Sequence, residues 1–199
     1  MSRNYAFALN EYYHIFARGF DKSIIFSSDL DKIRFQQSLY LLNTSRQVCV
    51  KDIRKSNPEV YSVDTGVPLV AIGAYSLMDN HFHILIKEVS HGGISKFMQK
   101  LMTSHTMSYN SKYNRKGRLF SSSFKAVHVR NDAHLRHLFD YIHDNPRELF
   151  LGEEGQYDQK IFEKYSFSSR VDYAHHKRSE WVILNKTVFP DYSRVAQVS

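Results

Sequence analysis

The sequence has almost no cysteine and no long apolar run. Cys49 is the one cysteine among 199 residues, so the chain cannot form an internal disulfide, and a sulfur-rich zinc site is excluded. No apolar run approaches the length that crosses a bilayer, and the first residues do not form a basic segment followed by an apolar one. We therefore expect a protein of a reducing cytosol with no membrane partner.

Acidic residues are absent from one long stretch of a basic chain. The chain has 27 Lys and Arg against 20 Asp and Glu, a net charge of +7. Between Val89 and Asn131 there is no Asp or Glu, whereas Lys and Arg recur with aromatic residues between them. Cations pair with phosphates and rings stack on bases, so this segment predicts a single-stranded nucleic acid partner. The candidate DNA contacts are Lys112, Arg115, Lys116, Arg118, Lys125, Arg130 and Phe120.

Apolar spacing predicts alternating strands and helices. Strands are expected at 12–18, 67–77, 81–89 and 117–130, with a tight turn at 78–80. Helices are expected after Ser28, from Ile94, and from Asn131 or Asp132 to Pro146. Residues 43–66 read as a frayed helix end and a surface connection, to which the sequence assigns no function.

This order of elements predicts an α+β sandwich, in which helices cover one face of a sheet. The hydrophobic residues, 42% of the chain, are enough for one main core. We expect one domain over residues 1–152 and a C-terminal extension, residues 153–199, that packs on it.

His81 and His83 are separated by one residue on a predicted strand. Their imidazoles therefore point to the same face, and Phe82 points to the other. This is a geometry that can hold one metal ion. In a chain with 11 histidines, such a pair is also compatible with two partly exposed strand histidines.

Tyr141 and Asn145 lie four residues apart on the last predicted helix, beside its apolar stripe. They therefore share one side of the helix and flank the core. The ordinary alternative is a tyrosine at the edge of packing and an asparagine that ends a helix before proline.

In this order, five segments resemble HUH-type single-tyrosine transposases, and among them the bacterial REP-associated branch. They are YHIFARGFDKSIIF near the start, LMDNHFHILI, GRLFSSSFKAVHV, LFDYIHDNPRE, and YSFSSRVDY near the end. The family often has Trp-Gln-x-Arg-Phe where this chain has Phe120-Ser-Ser-Ser-Phe124. This chain therefore lacks a polar amide and a cation at these positions, and the resemblance does not imply its sequence preference.

The resemblance implies a ferredoxin-like antiparallel sheet and a function in cleaving and rejoining single-stranded DNA near hairpins. It implies that His81, His83 and Asn145 ligate Mg²⁺ or Mn²⁺ and that Tyr141 is the nucleophile, forming a 5′-phosphotyrosine. It further implies a location in the bacterial cytosol or nucleoid. Tyr109 and Tyr113 are rival nucleophiles, although neither has an Asn, Gln or acid four residues later.

Three other functions stay open. A relaxase or replication-initiator nickase shares the histidine pair and the tyrosine. A domesticated relative would bind DNA or RNA hairpins without cutting them, and a metal-dependent hydrolase would use water. The oligomeric state stays open between a monomer and a homodimer, and the target hairpin is not given by the sequence.

Overall fold

The secondary structure alternates between strands and helices along most of the chain. The computed structural model describes residues 6–151, 158–174 and 178–189. The strands are β1 (Tyr12–Arg18), β2 (Val70–Met78), β3 (His81–Glu88) and β4 (Lys125–His128). The helices are α1 (Asp29–Leu41), α2 (Val50–Ser56), α3 (Gly93–Lys112), α4 (Asp132–Asp144), α5 (Gln159–Glu163) and α6 (Arg170–Tyr173). Short 3-10 helices include Asn145–Phe150, directly after α4.

The strands form one antiparallel sheet in the order β2-β3-β1-β4. Strands β1 and β3 are central, and α1 and α3 connect strands that are not adjacent. This order, with a helix after the first strand and another after the hairpin, is that of a ferredoxin-like sandwich. The predicted α+β fold class is confirmed.

The hairpin between β2 and β3 fixes the position of the two histidines. Met78 pairs with His81, and Asp79 and Asn80 form the turn between them. The sequence predicted this hairpin and its turn, but β2 begins at Val70, three residues later than expected.

The two faces of the sheet are covered by different helices. On one face, Phe82 packs against Phe35 of α1, and α3 also contacts the sheet. Successive strand residues point to opposite faces, so His83, which contacts Tyr141 of α4, lies on the other face. The expectation that the helices cover one face is therefore wrong. With the first face occupied by α1 and α3, the apolar stripe of α4 is buried against the second.

The strand predicted at 117–130 is much shorter than expected. Only Lys125–His128 pairs as a strand, and Phe120 makes an isolated bridge to Gly19. Three exposed serines, Ser121 to Ser123, separate these two contacts. They provide no apolar side chains that could hold a continuous strand on the core.

Residues 43–66 contain more structure than predicted. They include α2, and Val50 and Val60 form a small second core with Leu41 and Leu42. The Arg54 guanidinium donates to Gln37 Oε1 of α1 at 2.7 Å. The segment is therefore attached to α1 by its own apolar cluster and by hydrogen bonds.

The C-terminal segment covers the outer edge of β2. Leu77 N donates to Phe167 O at 3.0 Å, and Ser169 N donates to Tyr75 O at 2.9 Å. These bonds satisfy backbone groups that an open sheet edge would leave unpaired. The predicted boundary between residues 152 and 153, like residues 190–199, lies outside the described residues, so the division into domain and extension stays a prediction. None of the helices within the described ranges is long and apolar enough to cross a membrane.

Candidate active site

Strand β3 presents His81 and His83 on the face that α4 covers. Phe82, between them, is fully buried on the opposite face. His83 is 5% exposed, whereas His81, at the end of the strand beside the turn, is half-buried. Because successive side chains of a strand point to opposite faces, the two imidazoles lie on one face of the sheet and the buried Phe82 ring lies on the other.

Helix α4 brings Tyr141 and Asn145 to the same face. The helix begins after Asn131, whose side chain accepts a hydrogen bond from His134 N at 2.8 Å, as an N-cap residue does. Its apolar stripe is buried: Leu135, Leu138, Phe139 and Ile142. Tyr141 lies beside the stripe and is 43% exposed, and Asn145 follows the last residue of the helix.

The structure brings together the four residues that the sequence singled out. His81 Nε2 lies 3.1 Å from Asn145 Oδ1. The His83 and Tyr141 rings meet edge to face, with centroids 5.5 Å apart, and the His81 and His83 centroids are 5.1 Å apart. The end of α4 and the residue after it therefore face the histidine pair: Tyr141 contacts His83, and Asn145 contacts His81.

His14 of β1 belongs to this cluster, although the sequence reasoning missed it. His14 Nε2 lies 2.7 Å from His83 Nδ1, and the ring is 5.9 Å from that of Tyr141. The alternation of β1 could have placed His14 on the polar face of its strand, since Tyr13 and Ile15 are its buried residues. The alternation of buried and exposed residues along β1 does not, however, predict that β1 pairs with β3.

Burial lowers the pKa of all three imidazoles. The pKa of His83 is lowered to about 2, by burial first and then by His14 and His81. The pKa of His14 is lowered to about 4 by burial and by His134. Burial also lowers the pKa of His81, although the hydrogen bond between its ring and Asn145 Oδ1, which accepts, acts in the opposite direction and raises it. All three rings are therefore neutral near pH 7, the form in which imidazole ligates metals.

One pair of donor atoms has the spacing of two neighbouring ligands of a divalent cation. Two neighbouring ligands of an octahedral ion with bonds of about 2.1 Å lie about 3.0 Å apart, close to the 3.1 Å between His81 Nε2 and Asn145 Oδ1. In the part of the chain that the structure describes, no group of three or more His, Cys, Asp or Glu side chains could hold a metal. A metal site here would therefore need the amide oxygen of Asn145, a donor type that suits Mg²⁺ and Mn²⁺, as well as imidazole nitrogen.

The other tyrosines considered as nucleophiles are engaged elsewhere. Tyr109 Oη lies 2.6 Å from Ser27 Oγ, and Tyr113 Oη donates to Asp31 Oδ2 at 2.8 Å. Both lie at the end of α3, on the opposite side of the sheet from His83. His143, considered as an aid to Tyr141, is buried, and its Nε2 lies 2.7 Å from Ser169 Oγ.

The predicted DNA contacts differ in accessibility. Phe120 is 6% exposed and packs edge to face against Phe82, so its assignment as a base-stacking residue is not consistent with the structure. Lys112 donates to the buried Asp31 at 2.7 Å, and the Arg118 guanidinium lies 3.8 Å from the centre of the Phe20 ring. All six predicted cations are nevertheless exposed, and four of them make neither of these contacts: Arg115, Lys116, Lys125 and Arg130.

Comparison with known families assigns the chain to a class. Residues 37–145 match the model of the family described as "Transposase IS200 like". This stretch is more than half of the chain and contains His81, His83, Tyr141 and Asn145. The chain belongs to the IS200-like transposase family.

A solved structure shows the same fold. It is that of a REP-associated tyrosine transposase bound to a REP hairpin, and it matches with a TM-score of 0.52 at 14% sequence identity. The match covers 97% of this chain and 95% of that chain. No curated protein matches the sequence.

Proposed function

We propose that this protein is a metal-dependent DNA strand transferase. It cleaves and rejoins single-stranded DNA beside hairpins through a 5′-phosphotyrosine intermediate. The observation that carries the proposal is the meeting of Tyr141, His81, His83 and Asn145 on one face of the sheet. An exposed phenol beside neutral nitrogen and oxygen donors is what metal-assisted attack on a phosphodiester needs.

Tyr141 supplies the nucleophile. In cleavage, its phenolic oxygen bonds to the scissile phosphorus while the bond from phosphorus to the 3′ oxygen breaks. The phenol releases its proton, and the departing 3′ oxygen takes one up. The products are a 5′-phosphotyrosine and a free 3′-hydroxyl. A 3′-hydroxyl of another strand can reverse the step without ATP, because a phosphodiester is kept throughout.

His81, His83 and Asn145 hold the cation. A bound Mg²⁺ or Mn²⁺ supplies Lewis-acid polarisation of the scissile phosphate. The three protein donors are neutral, so the charge of the ion is not compensated before DNA binds. His14, at 2.7 Å from His83 Nδ1, fixes the orientation of that imidazole, as outer partners of metal-ligating histidines do.

The DNA partner is single-stranded or hairpin DNA. Support comes from the acid-free stretch between Val89 and Asn131, of which Arg115, Lys116, Lys125 and Arg130 are exposed. The structurally similar transposase was solved bound to a REP hairpin, a ligand of the same class. Binding carried by these cations weakens strongly with salt, because each phosphate contact releases counterions.

The test is covalent attachment of the protein to DNA. A labelled DNA hairpin with randomised single-stranded flanks is incubated with the protein and Mn²⁺, and the products are separated under denaturing conditions. We expect a labelled adduct that peptide mapping assigns to Tyr141 and that a chelator abolishes. Tyr141→Phe keeps the ring but should give no adduct. Tyr113→Phe, the matched control outside the cluster, should still give one.

Other outcomes would assign a different function. Hairpin binding with neither adduct nor cleavage would indicate a binding protein that has lost its chemistry. Cleaved DNA without an adduct would indicate a hydrolase that uses water. An adduct on Tyr109 or Tyr113 would show that α4 is not the catalytic helix.

A further inference from the structure

We propose that Arg18 is a catalytic residue that contacts the scissile phosphate beside His81 and Asn145. The inference rests on the proposed function, since it adds a contact within the same site. It is carried by the direct pairing of Arg18 with His81 across the two central strands.

The sheet register places the Arg18 side chain on the histidine face. Arg18 lies opposite His81, and Phe16 lies opposite His83. Directly opposed residues of antiparallel strands project from the same face with Cβ atoms about 4.5–5.5 Å apart. The Phe16 ring stacks on His83 with centroids 5.6 Å apart, so these two share a face. The two-residue period of β1 then brings Arg18 to the same face, beside His81.

The backbone of Arg18 is fixed, although its side chain is exposed. Ser121 N donates to Arg18 O at 3.0 Å. Gly19, which follows Arg18 in the chain, donates from its backbone N to Asn80 O at 2.8 Å. A Cβ at Gly19 would lie 2.0 Å from Ser23 O, so the tight turn after β1 requires glycine. The guanidinium is thus attached to a rigid strand end, and less freedom is lost when it binds.

The Arg18 guanidinium is not committed to internal structure. Within the described ranges it makes no hydrogen bond or ion pair, whereas Arg178 is bound to the buried Asp172 at 2.7 Å. Its positive charge contributes to the lowered pKa of both His81 and His83, which agrees with a position close to the pair. Glu148 is the acid whose charge also reaches His81.

A phosphodiester under attack matches this cation. It carries one negative charge and gains more on its oxygens as the Tyr141 oxygen adds. Arginine can donate two parallel hydrogen bonds to phosphate oxygens. Tyr141 lies against His14 and His83, whereas Arg18 lies beside His81. Nucleophile and guanidinium therefore approach a phosphate at the histidine pair from different sides.

The experiment measures chemistry and binding separately. Arg18→Gln removes the charge and keeps a polar side chain, and the probe is the labelled hairpin with randomised flanks. We expect the single-turnover rate of adduct formation at saturating Mn²⁺ to fall about 100-fold, while the Kd for the probe without metal changes less than about fivefold. Arg18→Lys keeps the charge but loses the two-pronged geometry, so its rate should be intermediate.

Arg46→Gln is the matched control. Arg46 is an exposed arginine that pairs with Asp64, and the same chemical change there should leave both the rate and the Kd unchanged. An Arg18→Gln rate within about threefold of the unmutated protein would overturn the proposal. An equal loss of rate and affinity would also overturn it, because Arg18 would then serve binding alone. Should Arg18→Gln fail to fold, Arg18→Lys decides, and its rate must lie about tenfold below that of the unmutated protein.

A second measurement distinguishes this inference from the proposed function. If the unmutated protein forms no adduct, the proposed function fails, and the phosphate contact is judged from binding with Mn²⁺ present. The slope of log Kd against log salt should then be shallower by about 0.7 in Arg18→Gln, as expected when one single-strand phosphate contact is lost. An unchanged slope would overturn the role of Arg18.

Discussion

The two faces of the sheet differ in chemistry, although the same strands build both. One face carries Ile15, Phe82 and Ile84, which are fully buried beneath α1 and α3. The other carries His14 and His83 beneath α4. Along β1 and β3, residues that hold the fold together alternate with residues of the candidate active site. Substitutions one position apart should therefore have different kinds of effect, on chemistry or on stability.

The largest expected effect is on the histidine face. Replacing both His81 and His83 with alanine removes two of the three proposed metal donors, so adduct formation should fall by at least about 1000-fold, or about 4 kcal/mol of activation free energy. Hairpin affinity should stay within about fivefold, because the cations proposed to bind DNA are unchanged. Electron paramagnetic resonance of Mn²⁺ checks the loss of metal binding. An adduct that persists in the double variant would contradict the assignment of the metal site.

A substitution on the opposite face sharpens the comparison. Ile84→Ala, one residue after His83, should lower the free energy of unfolding by about 2–5 kcal/mol, because it leaves a cavity in the core. Urea denaturation measures this change. The variant molecules that stay folded should still bind Mn²⁺ and form the adduct. A loss of metal binding at full stability would show that the two faces are not separable.

Asn145→Ala tests the end of α4 with a smaller effect. It removes the amide oxygen that lies 3.1 Å from His81 Nε2, so the Mn²⁺ affinity should fall on the order of 10-fold to 100-fold. Excess Mn²⁺ should restore part of the activity, because the histidines remain. Asn145→Asp is the control, since it keeps an oxygen donor and should keep metal binding. If Asn145→Ala and the unmutated protein bind Mn²⁺ with the same affinity, Asn145 is not a metal ligand.

The smallest effect is expected from a histidine of the stability face. Burial lowers the pKa of His105 to about 4, so below pH 6.5 the unfolded chain binds a proton that the folded protein excludes. Stability is therefore lost as the pH falls from 6.5 toward 4, by about 0.7 kcal/mol between pH 7 and pH 6. His105→Gln should flatten this part of the stability profile in urea titrations. An identical slope in the variant would contradict a neutral His105.

Local spacing was enough to predict the elements that carry the site. The alternation at His81 and His83 and the four-residue interval between Tyr141 and Asn145 are properties of one strand and one helix. The strand and the helix meet only because α4 packs on the face of the sheet that α1 and α3 leave uncovered. No short pattern describes that crossing, and the resemblance to a known family supplied the connection.

Residues governed by distant contacts were harder to predict. Phe120 was a predicted DNA contact, but its bridge to Gly19 and its packing on Phe82 bury it. His14 and Arg18 belong to the site because they lie beside His83 and His81 of the neighbouring strand β3. The order of the strands cannot be predicted from either residue alone. Helix α2 is only seven residues long, and its attachment to α1 through Arg54 is a tertiary contact.

Gly19 shows how a residue without a side chain can limit which variants of this protein survive. Any side chain there would collide with Ser23 O, 2.0 Å from the position of a Cβ, and the collision would displace the strand end that holds Arg18. In a saturation library selected for strand transfer, position 19 would therefore tolerate as little change as Tyr141. Depletion of variants alone would rank it among the reacting groups, although it contributes no atom to the reaction. A parallel selection for folded protein would separate the two positions, because substitutions at 19 fail both selections and Tyr141→Phe fails only the first.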